Sequence, residues 1–198
     1  MLRSQHAEAT RRAVLAAARI LFGGQGYAQT SVDEIAAAAL VTKGAVYHHF
    51  AGKEALFRAV YTEVLAEAVR RAADAGDPEG PPIDRIVAQV DSYLDAALDG
   101  QTRRIALVDG PAVLGLDADN PTDQQQSIHA GLRLFITAAI ARGQMADLDP
   151  DLLARLIGGL AWLGGVLIAH ERDPAMARAE LGKALGAMLR GLAPDTRR

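Results

Sequence analysis

Lys43, Gly44, Ala45, Tyr47, His48, His49 and Lys53 are the residues of this 198-residue chain whose types and spacing suit a definite chemistry. They lie in the stretch TSVDEIAAAALVTKGAVYHHFAGKEALF, residues 30–57. On a helical wheel of ~100° per residue, Gly44, Ala45 and His48 share one side, Tyr47 and His49 flank it, and Val46 and Phe50 fall opposite. The chemistry this layout serves is recognition without covalent change. Small residues let a backbone sink into a groove roughly 12 Å wide while a polar side chain reaches base edges. Flanking hydroxyl and imidazole groups meet phosphates and fix register. Lys53, opening the next helix, adds charge beside free N–H groups. A plain helical hairpin with a partly exposed aromatic surface has the same spacing, but its outer face would ordinarily carry Lys, Glu or Gln, not Tyr-His-His.

Catalytic and metal chemistry find little support. There is no cysteine, so neither a thiolate nor a disulfide is available. The five histidines (6, 48, 49, 129 and 170) form no His-x-x-x-His or Glu-x-x-His pair, the spacings that bring two ligands to one helix face. No glycine-rich phosphate loop follows a strand pattern. No catalytic residue, metal or cofactor is implied.

The recognition residues need elements that hold them. Ser31 and Glu34 have capping-box spacing, which predicts a helix from about Val32, with Val32, Ile35, Ala36 and Ala39 as its apolar face. Leu40-Val41 makes the turn. Thr42 caps the next helix, about Lys43 to Phe50, and Ala51-Gly52 ends it. Upstream, Thr10–Phe22 carries apolar residues at 14, 17, 18, 21 and 22, the period of an amphipathic helix.

Over roughly residues 8–58, and most closely in TSVDEIA, KGAVYHHF and KEALF, the chain resembles the tetracycline-repressor (TetR) family of transcriptional regulators. The resemblance implies phosphate contacts from Thr30, Thr42, Tyr47, His49 and Lys53, and approach to bases by Lys43, Gly44, Ala45 and His48. It also marks one departure: the family typically has glycine in the turn where this chain has Leu40. A non-glycine residue there is either strained by about 1 kcal/mol or more, or sits in a turn built differently.

Half of the residues are hydrophobic, and Ala and Leu dominate, which favours helices; no strictly alternating strand appears. Charge is divided unevenly: residues 1–60 hold 7 Lys+Arg and 4 Asp+Glu, and residues 61–198 hold 14 and 20. A basic head on an acidic body fits a nucleic-acid-binding module. The N-terminus lacks a signal-peptide h-region, and with the missing cysteines this suits a cytoplasmic location. Leu156–Ala169, the most apolar stretch, is too short for a bilayer span and reads as a buried helix, so no membrane partner is expected.

Further helices are expected at 53–75, 83–98, 102–108 (kinked or broken by Asp109-Gly110-Pro111), about 123–142, 150–171 opened by Asp149-Pro150 and 174–192 opened by Asp173-Pro174, with loops at 76–82 and 116–123 and a frayed tail at 194–198. Helix-interior glycine costs up to about 1 kcal/mol. Gly158, Gly159, Gly164, Gly165, Gly182 and Gly186 therefore need compensation by close helix approach, within one chain or across a dimer. The family pairs its last two helices into a dimer, which places two heads about one DNA turn apart on a palindrome. Family members also hold a small molecule in the body, and Tyr93, Arg133, Phe135 and Trp162 are the candidate lining residues. Arg133 suits a carboxylate or simply reaches solvent; Trp162 stacks on a flat ligand or fills core volume.

The expectation is an all-α protein of about nine helices: a three-helix helix-turn-helix DNA-binding domain at 1–52 and a helical effector-binding and dimerisation domain at 53–198. Its function would be that of a homodimeric repressor on a palindromic double-stranded DNA operator, released by a small-molecule effector. The alternative is a helical small-molecule-binding protein or enzyme with a non-functional DNA head.

Overall fold

The structure, a computed structural model, describes residues 2–115 and 123–193. The expected loop at 116–123 (all but Asp123) and the expected frayed tail at 194–198 lie outside the described residues. Among those described there are nine helices and no strand: α1 Leu2–Gln25, α2 Val32–Ala38, α3 Lys43–His49, α4 Lys53–Ala73, α5 Pro82–Asp95 with a 3-10 turn Ala96–Leu98, α6 from Gly100 to Leu114, α7 Asp123–Ala141, α8 Pro150–His170 and α9 Pro174–Arg190.

The end signals act as expected. Ser31 and Glu34 form a reciprocal capping box at α2, and Thr42 Oγ1 accepts from Ala45 N–H at α3. Asp149 and Asp173 cap α8 and α9, each followed by a proline in the first turn, where its missing N–H costs nothing. α1 is longer than its apolar period; it continues to Gln25, and Gly26, at φ +85°, ends it.

α6 departs from expectation. Asp109-Gly110-Pro111 does not break it; instead Arg103–Asp109 is wound as a π-helix between α-helical Gly100–Thr102 and Gly110–Leu114. Pro111 has no N–H and its ring would clash with the Leu107 carbonyl in an α-turn. The wider π-turn relieves that clash without ending the helix.

Packing forms two compact units, Met1–Leu65 with Gly100–Leu116 and Ala66–Asp99 with Asp117–Arg198. The expected boundary at 52/53 falls inside the first of these units. The first unit has a core of Val14, Ala18, Phe22, Ile35, Val46, Leu56, Phe57, Val60, Tyr61 and Ile105, each at most 2% exposed. Phe22, Tyr27 and Phe57 form an aromatic cluster with centroids 5.0–5.8 Å apart. The second unit packs α5, α7, α8 and α9 around Ile86, Leu94, Ile136, Ile157 and Ile168. Arg178 on α9 stitches to α5, with Nε 2.7 Å from Asp95 Oδ1 and Nη1 3.1 Å from Asp91 Oδ1.

Several glycines of the last two helices are compensated within the chain, whereas Gly159 is exposed with open space around it. A Cβ on Gly164 would lie 3.0 Å from Leu94 Cδ2 and 3.4 Å from Leu185 Cδ1, and Gly165, Gly182 and Gly186 are also buried. The reading of Leu156–Ala169 as a buried helix holds for one face only. α8 buries only one face, and Leu152, Leu156, Leu163 and Leu167 stand exposed on another. At 21 residues, α8 is the one helix among those described that is long and apolar enough to cross a membrane by length and composition. Its small-residue face packed on α5 and α9 gives that apolarity another explanation.

The turn between α2 and α3 is a Schellman motif. Val41 N–H donates to Ala36 O at 3.0 Å and Leu40 N–H to Ala37 O at 3.1 Å, which puts Leu40 at the left-handed position, φ +55°, where glycine is favoured. The strained alternative is the one realised, and the Leu40 side chain, 93% exposed, recovers little by packing. Leu40→Gly should therefore stabilise the protein by about 1 kcal/mol, read as a higher urea midpoint with unchanged slope. A midpoint that stays or falls would show the turn to be unstrained.

Candidate nucleic-acid interface

α3 is only seven residues long, so its orientation comes from what it buries. Val46 is 2% exposed and Phe50, its C-cap, 6% exposed. With those two anchored, the helix period turns Gly44 and His48 outward, and both are exposed. A Cβ on Gly44 would meet nothing nearer than Thr42 Oγ1 at 3.9 Å, so that backbone is open to close approach. Tyr47 is exposed and His49 half-buried, the two histidine rings 5.2 Å apart at 74°. Thr42 is exposed, and because its oxygen only accepts in the cap, its O–H stays able to donate.

Two cations are held in place. Lys43 Nζ lies 2.9 Å from Asp33 Oδ2, a pair joining α3 to α2, and that hydrogen bond and charge raise the Lys43 pKa. Both partners are exposed, so the pair is weak and exchangeable for another anion. Lys53 Nζ sits over the Tyr27 ring, 4.2 Å from its centroid. Burial first, and then the Glu54 charge, raise the Tyr27 pKa and keep the phenol protonated.

Thr30 needs correction as a phosphate contact. Its side chain is 2% exposed and its hydroxyl donates to Gly26 O at 2.7 Å. A Thr at the mouth of a helix looks the same in sequence whether its hydroxyl closes the preceding turn or faces solvent. Sequence reasoning missed Arg11, whose guanidinium lies over the Phe50 ring 5.5 Å from its centroid and brings a third cation beside α3. No sequence periodicity links residues 11 and 50.

The arrangement is thus an outward face of glycine, alanine and imidazole, rimmed by hydroxyl and cationic groups, on a helix capped and anchored from below. Two family descriptions match the chain: "Bacterial regulatory proteins, tetR family" over residues 14–60 and "Tetracyclin repressor-like, C-terminal domain" over residues 83–192. The chain belongs to the TetR family. It is 28% identical over 152 residues to the transposon Tn10 TetC protein of Escherichia coli, covering 77% of this chain and 76% of that protein. To the HTH-type transcriptional regulator TtgR of Pseudomonas putida it is 29% identical over 173 residues, covering 82% and 80%. A solved TetR-family transcriptional regulator from Pectobacterium atrosepticum is 35% identical, with a TM-score of 0.85 and 96% of each chain covered. This TetR-family protein is a ligand-responsive DNA-binding transcriptional regulator, and such regulators are not enzymes.

In the second unit of this regulator, the expected ligand-lining residues fare unequally. Arg133 is exposed and reaches solvent. Arg85, which the sequence reading did not select, lies over the Phe135 ring 5.3 Å from its centroid. Phe135, Tyr93 and Trp162 are half-buried, and burial pushes the Tyr93 pKa up to about 12. Arg85 Nε and Trp162 Nε1 are buried N–H donors with no hydrogen-bond partner, each a cost of about 1–3 kcal/mol. Arg85 was hard to select because nothing local distinguishes a helix arginine that folds onto a distant ring from one in solvent.

His129 on α7 sits against Gly158 on α8. Desolvation, and then the Arg155 charge, lower its pKa, with Asp151 opposing. A lowered histidine pKa means that the folded state favours neutral imidazole, so the unfolded chain binds the proton more tightly. Its contribution is intact above the unfolded value, about 6.5, and stability falls as pH drops below it. Urea unfolding of wild type should lose more stability between pH 7.5 and 5 than that of His129→Gln; equal losses would refute this.

Proposed function

We propose that this protein is a homodimeric, cytoplasmic repressor that binds a palindromic double-stranded DNA operator through α3 and leaves it when a small-molecule effector occupies the body. Residues 1–52 form the DNA-binding domain and 53–198 the effector-binding and dimerisation domain. The observation that carries the DNA reading is the outward face of α3. Its approach to bases is assigned to Lys43, Gly44, Ala45 and His48, and phosphate contacts to Thr42, Tyr47, His49 and Lys53, with Arg11 added. A helical ligand binder with an idle DNA head would have no use for an open Gly44 or for a Lys53 held over the Tyr27 ring at the start of α4.

The dimer reading now rests on leucines, not glycines. Leu152, Leu156, Leu163 and Leu167 on α8, with Met176 and Met188 on α9, are 46–64% exposed. An exposed apolar surface of this kind marks an interaction site, and a second copy would bring recognition helices to two half-sites. For the effector, Trp162 and Arg85 supply donors and Tyr93 and Phe135 apolar walls, which favours a flat ligand carrying hydrogen-bond acceptors.

Lys53 and Arg11 of two protomers neutralise about four phosphates, so log affinity against log salt should have a slope of about −4 or steeper. A slope near zero would sink the DNA mechanism. Lys53→Ala should weaken binding to every sequence and reduce the slope by about two per dimer. His48→Ala should change which sequence is preferred, and an unaltered preference would refute its base-reading role. Leu163→Glu should convert the dimer to monomer by sedimentation velocity and abolish tight operator binding; a persistent dimer would move the interface elsewhere.

A further inference from the structure

In an α-helix, residues five apart point about 140° away from each other. Arg104 and Asp109 are five apart, yet both reach the elbow between α1 and α2. Arg104 Nη2 donates to Gln25 O at 3.4 Å, and Asp109 Oδ2 accepts from Tyr27 N–H at 2.7 Å. The π-winding of Arg103–Asp109 is what allows it, because i→i+5 hydrogen bonding stacks residues five apart on nearly one face. Arg104 Nε and Asp109 Oδ2 are themselves 3.8 Å apart. Gly26, at φ +85°, leaves room for this clasp, since a Cβ there would lie 2.8 Å from the Arg104 guanidinium. Gly110, the next residue, fits where a Cβ would lie 2.7 Å from the Tyr61 ring. The residue so gripped, Tyr27, carries the ring under the Lys53 ammonium and packs on Phe22 and Phe57.

We propose that Asp109 is a positioning residue for DNA binding: the π-turn of α6 sets Tyr27 through Asp109, and Tyr27 sets Lys53 against its phosphate. The inference rests on the DNA-binding reading and adds to it a specific lever. If α6 rewinds from π to α, Asp109 swings away from the elbow, Tyr27 loses its acceptor, and Lys53 loses its fixed platform. Asp109 contributes no contact of its own to DNA.

The test uses the full-length protein and a duplex that wild type selects from random sequence. Affinity is measured over a range of salt for Asp109→Ala, Asp109→Asn, Lys53→Ala and the Asp109→Ala/Lys53→Ala double variant, with thermal unfolding followed in parallel. Asp109→Ala should lower affinity about tenfold and reduce the salt slope by about two per dimer, like Lys53→Ala. The double variant should bind no worse than Lys53→Ala alone. Asp109→Asn keeps an oxygen acceptor for Tyr27 N–H and should bind within about twofold of wild type. Additive losses, or weaker binding with an unchanged slope, would overturn the proposal, because a merely destabilised protein loses active fraction without losing an ion contact. Should Asp109→Ala not fold, Asp109→Glu, with its carboxylate displaced by one methylene, takes its place with the same readings expected. A wild type that selects no duplex would fail the DNA-binding reading itself, and this proposal with it, before any variant is compared.

Discussion

Burial of Val46 and Phe50 is the constraint on which the recognition surface depends. Seven residues are too few to be stable as an isolated helix, and α3 has no long apolar stripe. Two side chains on one face, each contributing about 1.5–3 kcal/mol, hold it to the first unit. Thr42 sets its start and the Ala51-Gly52 break follows its end. Once that face is committed, the 3.6-residue period turns Gly44 and His48 to solvent. Outward imidazole and bare backbone are therefore a consequence of inward valine and phenylalanine. The strain at Leu40 is tolerable for the same reason: the Schellman turn is over-determined by α2 on one side and anchored α3 on the other.

Much of this was legible in the sequence, because local rules govern it. The capping box at Ser31 and Glu34, the caps at Thr42, Asp149 and Asp173, and the wheel of α3 each need only a few neighbouring residues. What stayed hidden depends on distant partners. Arg11 over Phe50, Arg85 over Phe135 and Asp109 on the Tyr27 amide join residues 39, 50 and 82 positions apart, and no local pattern encodes them. Thr30 failed for a related reason, since its hydroxyl had a choice between solvent and Gly26 O that only the fold decides. Glycines were read as marking close approach within one chain or across a dimer, and several make that approach within the chain. Gly164 serves Leu94 and Leu185 of its own chain, leaving the leucines of α8 as the unpartnered surface.

Proline and glycine in α6 illustrate how a local rule is kept and its expected outcome still avoided. Pro111 is incompatible with a continuous α-helix, and the chain obeys that by widening to π instead of stopping. Winding of this sort is frequent at functional sites. Here it aligns Arg104 with Asp109 on the α1–α2 elbow, in the same unit as the recognition helix. The element that widens instead of breaking is thus the one in contact with the platform of Lys53.

The central claim is that α3 enters DNA by the face opposite Val46 and Phe50. Backbone amide chemical-shift mapping on titration with a duplex selected by the protein tests it residue by residue. The account predicts the largest changes at Gly44, Ala45, Tyr47 and His48. Changes confined to Ala66–Asp99 and Asp117–Arg198, or no changes in α3 at saturating duplex, would contradict it.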